Sequence, residues 1–190
     1  MGQTPHYFIA IPVSDSLKEE FVNWQKQLQE SLAYKTWPNK EDLHITIKFL
    51  GAVEESNLIM LQESLRTINY PKFSLNVGSI GTFGKHDSPR VLWGGVELTA
   101  AIDELYKKVE TAAVASGFPK EGRPYRPHIT LAKKWNGTPV HPEKLINIKE
   151  NYQAKRFQMN VEEFVLYQIF PSKSPKYERV ETFRLVVRKV

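Results

Sequence analysis

From residue 44 the chain alternates polar and apolar side chains, His44-Ile45-Thr46-Ile47-Lys48-Phe49. This is the two-residue period of a strand with one face in a core. Ile45, Ile47 and Phe49 fall on the apolar face, and His44, Thr46 and Lys48 on the other. The pattern returns at His128-Ile129-Thr130-Leu131, with His128 and Thr130 opposite Ile129 and Leu131.

Around the first copy, residues 6–13 (HYFIAIPV) read as a buried strand closed by Pro12. Leu17, Phe21, Trp24, Leu28 and Leu32 then recur at helical spacing behind a Ser16/Glu19 capping-box pair, which assigns Trp24 to the core. Residues 34–37 make a short strand, and the motif strand over 42–50 stops at Gly51. A second amphipathic helix covers 55–68, with Leu58, Leu61, Leu65 and Ile68 inward. Residues 73–79 alternate as a half-exposed strand, 81–89 are punctuated as a loop by Gly and Pro, and 90–97 form another strand. A third helix runs from near Thr99 to Gly117.

Residues 118–127 (FPKEGRPYRP) are too rich in Pro and Gly to be regular, and they lead into the second motif strand. Lys120, Arg123, Arg126, Lys133 and Lys134 crowd this region against Glu121 alone. His141-Pro142-Glu143 starts a short helix. Residues 156–170 read as one long strand with a bulge near Glu162-Glu163, then a turn over 171–175. A final strand over 177–190 carries Phe183, Leu185 and Val187 on one face. Both halves run strand, helix, His-x-Thr strand, helix, further strands. That order predicts an α+β fold of two lobes, faintly duplicated, meeting along a groove.

Composition narrows the choices. The chain of 190 residues is 41% hydrophobic, enough for a sizeable core in one domain spanning 1–190. No cysteine is present, which removes disulfides, thiolate metal sites and cysteine nucleophiles. The net charge of +5 is compatible with a polyanionic substrate. The first residues lack the features of a secretion signal, and no apolar run reaches membrane-spanning length, so a cytoplasmic protein with no membrane contact is expected.

With five histidines in the chain, one His-x-Thr means little, but two inside apolar strand runs suggest a site. Two imidazoles with ordinary pKa values near 6.5 can divide acid and base work about a phosphorus atom, while the stiff threonine side chains donate hydroxyls to its oxygens. The histidines lack a third ligand at short spacing, which disfavours a metal site. A Ser-His-Asp triad lacks its Gly-x-Ser-x-Gly elbow.

The chain resembles the 2H phosphoesterase superfamily, and within it the RNA 2′,3′-cyclic phosphodiesterase (2′-5′ RNA ligase-like) branch. The resemblance rests on residues 8–11, 43–51 (LHITIKFLG), Gly81-Thr82-Phe83-Gly84 with Arg90-Val91-Leu92-Trp93, residues 126–132 (RPHITLA), and Pro175-Lys176-Tyr177 with Phe183. It implies a bilobal α+β fold with two antiparallel sheets flanked by helices around a V-shaped cleft of pseudo-twofold symmetry. It also implies metal-free, cofactor-free opening of a 2′,3′-cyclic phosphate at an RNA end to a 2′-phosphate. By the family pattern His44 is the proton donor and His128 the proton acceptor, although the motifs alone leave the two roles interchangeable. Thr46 and Thr130 would hold phosphate oxygens. Lys133 stands where relatives commonly carry Arg, and it offers charge without a planar fork. Arg126 is a further candidate phosphate contact. Phe8 is kept as a candidate substrate contact although core packing is the stronger reading for it and for Phe83, and Lys48 is expected to add charge at the cleft. His6, His86 and His141 read as surface residues. A monomer acting on RNA or oligonucleotide ends is expected. The alternatives are 2′-5′ linked oligonucleotides, a cyclic phosphate derived from ADP-ribose, and a non-catalytic RNA-binding module.

Overall fold

The structure, a computed structural model, describes residues 4–187. Its elements in chain order are β1 (His6–Pro12), α1 (Asp15–Gln29), β2 (Tyr34–Thr36), β3 (His44–Ala52), α2 (Glu55–Arg66), β4 (Phe73–Gly84) and β5 (Pro89–Val96). There follow α3 (Ala100–Ala115), β6 (His128–Trp135), α4 (Pro142–Gln153), β7 (Arg156–Val161), β8 (Glu163–Ile169) and β9 (Tyr177–Arg184). The strands lie in the order β7-β4-β5-β6-β3-β1-β8-β9, all neighbours antiparallel, with β2 added beside β6. The two motif strands are therefore the innermost pair, with three strands outside each of them. The two expected sheets meet at one residue pair, Ile45 opposite Ile129.

One side of this sheet carries the main core. Leu17, Phe21, Trp24 and Leu28 from α1, Leu61 and Leu65 from α2, and Ile102, Leu105 and Val109 from α3 pack there with Ile9, Ile11, Ile45, Ile47, Ile129 and Leu131. Trp24 is fully buried, as its helical spacing required. A smaller cluster of Phe8, Ala10, Val165 and Tyr167 occupies the opposite face of β1 and β8. Alternation along β1, apolar on both faces, serves both clusters at once.

Several expected elements are redrawn. The capping box at Ser16 is absent: α1 starts at Asp15 after Ser14, with no side-chain cap. The supposed loop 81–89 is largely strand, because β4 continues to Gly84 and pairs with β5 through Thr82–Leu92 and Phe83–Val91. Gly81 is needed because the Trp93 ring lies on it; a Cβ there would sit 2.1 Å from the indole. The short helix at Pro142 is the twelve-residue α4. The bulge expected near Glu162 is a break: β7 pairs with β4 at one end of the sheet and β8 with β1 near the other. The final strand ends at Arg184; Phe183 and Leu185 are buried but Val187 is exposed, and the strand's last expected positions, 188–190, lie outside the described residues, as do residues 1–3 of the N-terminal segment.

The largest departure lies within the motif strands. Against β1, Ala10 pairs with Thr46 and Ile9 with Lys48, so Ile47 is an extra residue on β3. Against β5, Trp93 pairs with Thr130 and Leu92 with Ala132, so Leu131 is the corresponding extra residue on β6. A bulge reverses the side-chain phase beyond it. Phe49, expected in the core, is instead 62% exposed, and Lys48, expected at the cleft, is 6% exposed and turned inward. Lys48 Nζ donates to Glu110 Oε2 at 2.8 Å and to the Pro119 carbonyl at 2.9 Å. Glu110 Oε1 accepts the Glu121 N–H at 2.7 Å, so this buried pair ties β3 to α3 and to the following loop. Removing one partner of such a pair leaves a buried charge alone, whereas an apolar pair of similar volume fills the same space. Glu110→Ala is expected to lower unfolding free energy by about 3–5 kcal/mol, with the Lys48→Met/Glu110→Leu double variant much closer to wild type. Urea unfolding of both variants checks this.

Candidate active site

Pairing of Ile45 with Ile129 fixes what surrounds it. In antiparallel register His44 comes opposite Thr130, and Thr46 opposite His128. Both isoleucines are buried, and all four polar residues emerge on the other face, partly exposed. The histidines are then diagonal neighbours, a relation that separates side-chain bases by about 7–8 Å. An anion between them would meet imidazoles from opposite corners and hydroxyls from the other two.

Each ring is held the same way. His44 Nδ1 lies 2.7 Å from the Asp42 carbonyl, and His128 Nδ1 lies 2.7 Å from the Arg126 carbonyl. A carbonyl only accepts, so Nδ1 carries the proton and Nε2 is the bare nitrogen of the neutral ring. His44 Nε2 lies 3.0 Å from Thr46 Oγ1. No feature of the triplets themselves announces the carbonyl contacts at Nδ1, two residues upstream of each histidine.

The surroundings differ. Phe8, 2% exposed, backs His44 at 4.7 Å between ring centres, and Tyr177 meets that imidazole edge-on at 5.3 Å. Burial among these rings lowers the His44 pKa to about 4; the Asp42 carbonyl opposes the shift, and positive charge on His128 and Lys133 adds to it. His128 packs against Phe83 at 5.0 Å, with Trp93 at 6.4 Å.

Asp42 was missed by sequence reasoning. Its buried carboxylate accepts N–H groups from Lys176, at 2.9 and 3.0 Å, and Tyr177, at 3.1 Å, bringing the turn before β9 against His44. A lone acidic residue two positions before a histidine carried no signal of partners more than 130 residues away. Gln25 was missed as well: its buried amide donates to the Leu131 carbonyl at 3.0 Å, satisfying the bulge in β6.

Two adjoining cavities flank the motif strands. One, about 180 Å³, is lined by Phe8, Asp42, His44, Thr46, Thr130, Lys133 and Tyr177 among others. The other, about 470 Å³, is lined by His128, Arg126, Arg90, Phe83 and Tyr125 among others. Thr46 and Phe49 border both. Lys133 reaches the first cavity only because the Leu131 bulge turns it there; burial lowers its pKa, with Lys176 and Lys134 adding to the effect. Arg126 lies in the loop before β6 and lines the second cavity. Phe8 is a back wall to His44 and has little surface left for another partner. Lys48 is withdrawn into its pair with Glu110. His6, His86 and His141 are exposed, away from these residues.

The chain is similar to proteins of one known family. The "LigT like Phosphoesterase" family profile matches residues 11–93 and again residues 96–177, so each match carries one His-Ile-Thr triplet. An RNA 2′,3′-cyclic phosphodiesterase of Geobacillus stearothermophilus is 38% identical over 184 residues, covering 95% of the chain and 57% of that relative's length. A protein of the same name from Bacillus subtilis (strain 168) is 34% identical over 183 residues, covering 95% of the chain and 97% of the relative. Among solved structures, E. coli LigT complexed with 3′-AMP superposes with a TM-score of 0.79 at 23% identity, covering 96% of the chain and 99% of LigT. TT0787 of Thermus thermophilus gives 0.77 at 22% identity, covering 97% and 100%.

The low proton affinity of His44 has a stability consequence. The unfolded chain takes up a proton near pH 6.5 that the folded ring refuses until about 4. Stability from this group is therefore complete above pH 6.5 and is lost as pH falls towards 4, by about 3 kcal/mol in all. Urea unfolding at pH 7 and pH 4.5 should give a smaller acid loss in His44→Gln than in wild type; equal losses would contradict the burial of this ring.

Proposed function

The chain belongs to the LigT-like phosphoesterase family, and from that membership we propose that it is an RNA 2′,3′-cyclic phosphodiesterase. The observation that carries the reading is the crossed arrangement of His44, Thr130, Thr46 and His128 about one strand pair. In this reading a terminal cyclic phosphate lies over that pair. His128 Nε2 takes a proton from water as it attacks phosphorus, and His44 Nε2 gives one to the departing 3′ oxygen, leaving a 2′-phosphate. Thr46 and Thr130 donate to the non-bridging oxygens, and Lys133 and Arg126 add positive charge. Phe8 contributes by holding the His44 ring and at most an edge to substrate. The mechanism is metal-independent, since imidazolium, hydroxyls and lysine meet the developing charge. We take residues 1–190 as one bilobal domain acting as a cytoplasmic monomer, with an RNA end as its partner. Among the described residues no helix is long and apolar enough to cross a membrane.

Proton affinity bears on the roles. Buried among its aromatic neighbours, His44 holds no proton near pH 7, so an anionic phosphate must raise its affinity for His44 to act as donor. The reverse assignment, His44 as acceptor, is favoured by that same low value. Leaving-group dependence separates them. A nucleoside 2′-(4-nitrophenyl phosphate) needs no proton on its leaving group, so His44→Ala should largely retain turnover of this ester if His44 is the donor. Loss on both substrates would assign it as the base.

The activity itself is tested with nucleoside 2′,3′-cyclic phosphates in excess EDTA, with products identified by ³¹P NMR. Turnover to the 2′-phosphate is expected, with His44→Ala and His128→Ala each reducing kcat by about 10²–10⁴-fold while circular dichroism stays native. Full activity in either variant, or none in wild type, would overturn the reading.

A further inference from the structure

A carboxylate is out of place beside a phosphate, yet Asp42 lines the smaller cavity together with His44, Thr46, Thr130 and Lys133. It is 6% exposed, and among the described residues it forms no salt bridge. Its oxygens meet main chain instead. Oδ1 accepts the Lys176 and Tyr177 N–H groups at 2.9 and 3.1 Å, and Oδ2 lies 3.0 Å from the Lys176 nitrogen. Those N–H dipoles take up a charge that burial alone would make costly.

Both ends of the residue lead to His44. A tight turn over Lys40–Asp42 sets its backbone, with the Asp42 N–H donating to the Asn39 carbonyl at 2.9 Å and Asn39 Oδ1 accepting the Glu41 N–H at 2.9 Å. The turn aims the Asp42 carbonyl at His44 Nδ1, 2.7 Å away. The carboxylate pins the end of the β8–β9 connection, which the Phe170 N–H closes on the Lys176 carbonyl at 2.7 Å. Tyr177, so held, meets the imidazole edge-on at 5.3 Å and Phe8 at 4.8 Å.

We propose that Asp42 is a positioning residue for His44, its carbonyl fixing the ring and its carboxylate seating the Tyr177 wall against it. The proposal rests on the reading that His44 moves a proton during phosphodiester opening. Around His44 the titratable and charged groups are His128 and Lys133 of β6, Tyr167 of β8, Tyr177 of β9 with Lys176 before it, and Asp42 itself. Burial outweighs the cations among the influences on this ring. Opening the wall to water therefore raises its proton affinity, whereas losing the Asp42 charge alone would lower it. A positioning role and a purely electrostatic one move His44 in opposite directions.

Titration of the ¹⁵N-histidine-labelled full chain reads this without turnover. His44 should titrate near pH 4 in wild type. Asp42→Ala should move that midpoint up to about 5 or higher. Tyr177→Leu, which leaves both N–H groups to Asp42, should move it the same way. Asp42→Asn keeps Oδ1 for both N–H groups and should stay near wild type. With a nucleoside 2′,3′-cyclic phosphate, kcat should fall by about 10–10²-fold in Asp42→Ala at little change in KM, and Asp42→Asn should recover most of it. A midpoint that stays or falls in Asp42→Ala or in Tyr177→Leu would overturn the proposal, as would Asp42→Asn tracking Asp42→Ala. If Asp42→Ala does not fold, Tyr177→Leu and Asp42→Asn still decide: an unmoved midpoint in the first or a lowered one in the second rejects positioning. The expected midpoints in a protein that opens no cyclic phosphate would uphold the positioning role and reject the catalytic reading.

Discussion

Antiparallel pairing of β3 with β6 at Ile45 and Ile129 is the contact through which the two halves of the sheet join. Because successive side chains on a strand point to opposite faces, burying those two isoleucines leaves their four flanking residues no alternative but the far side. The apolar partner of each polar residue is thus what aims it. A shift of one residue in this register would send both imidazoles into the core and bring isoleucine to the cleft.

Once aimed, the imidazoles are tuned by neighbours outside the triplets. The same carbonyl contact two residues upstream fixes the same tautomer in both rings, a symmetry that matches the duplicated strand order. Aromatic burial then breaks the symmetry. His44 sits against Phe8 and Tyr177, held by Asp42 through the turn before β9, and loses proton affinity. His128 faces the wider, arginine-rimmed cavity. Two like groups in unlike surroundings are what a divided acid–base role requires.

Much of this was legible in the sequence because periodicity and burial are local. Alternation through His44–Ile47 and His128–Leu131, the helical spacing from Leu17 to Leu28 and the repeated element order carried over, while Leu32, read as the last helical position, lies beyond the end of α1 at Gln29. Phe49, Lys48 and Lys133 did not follow alternation, since each motif strand carries a bulge at the residue after its threonine. A bulge is set by what the neighbouring strand demands, here β1 and β5, and no residue type in the strand itself announced it. The same holds for the 156–170 segment, whose halves pair at distant places in the sheet. Asp42 and Gln25 were invisible for a related reason: their partners are backbone groups far away in the chain. Lys133 was singled out by family resemblance where its own strand pattern would have buried it.

The central claim is that both imidazoles address a single phosphate. The direct measurement is a titration of ¹⁵N-histidine-labelled protein with a nucleoside 2′-phosphate, following the Nε2 resonances of His44 and His128. Both resonances should move along one saturation curve, complete at one equivalent, while His6, His86 and His141 stay still. Movement of one ring alone, or two curves with separate midpoints, would contradict a shared phosphate and with it the purpose of the crossed strands.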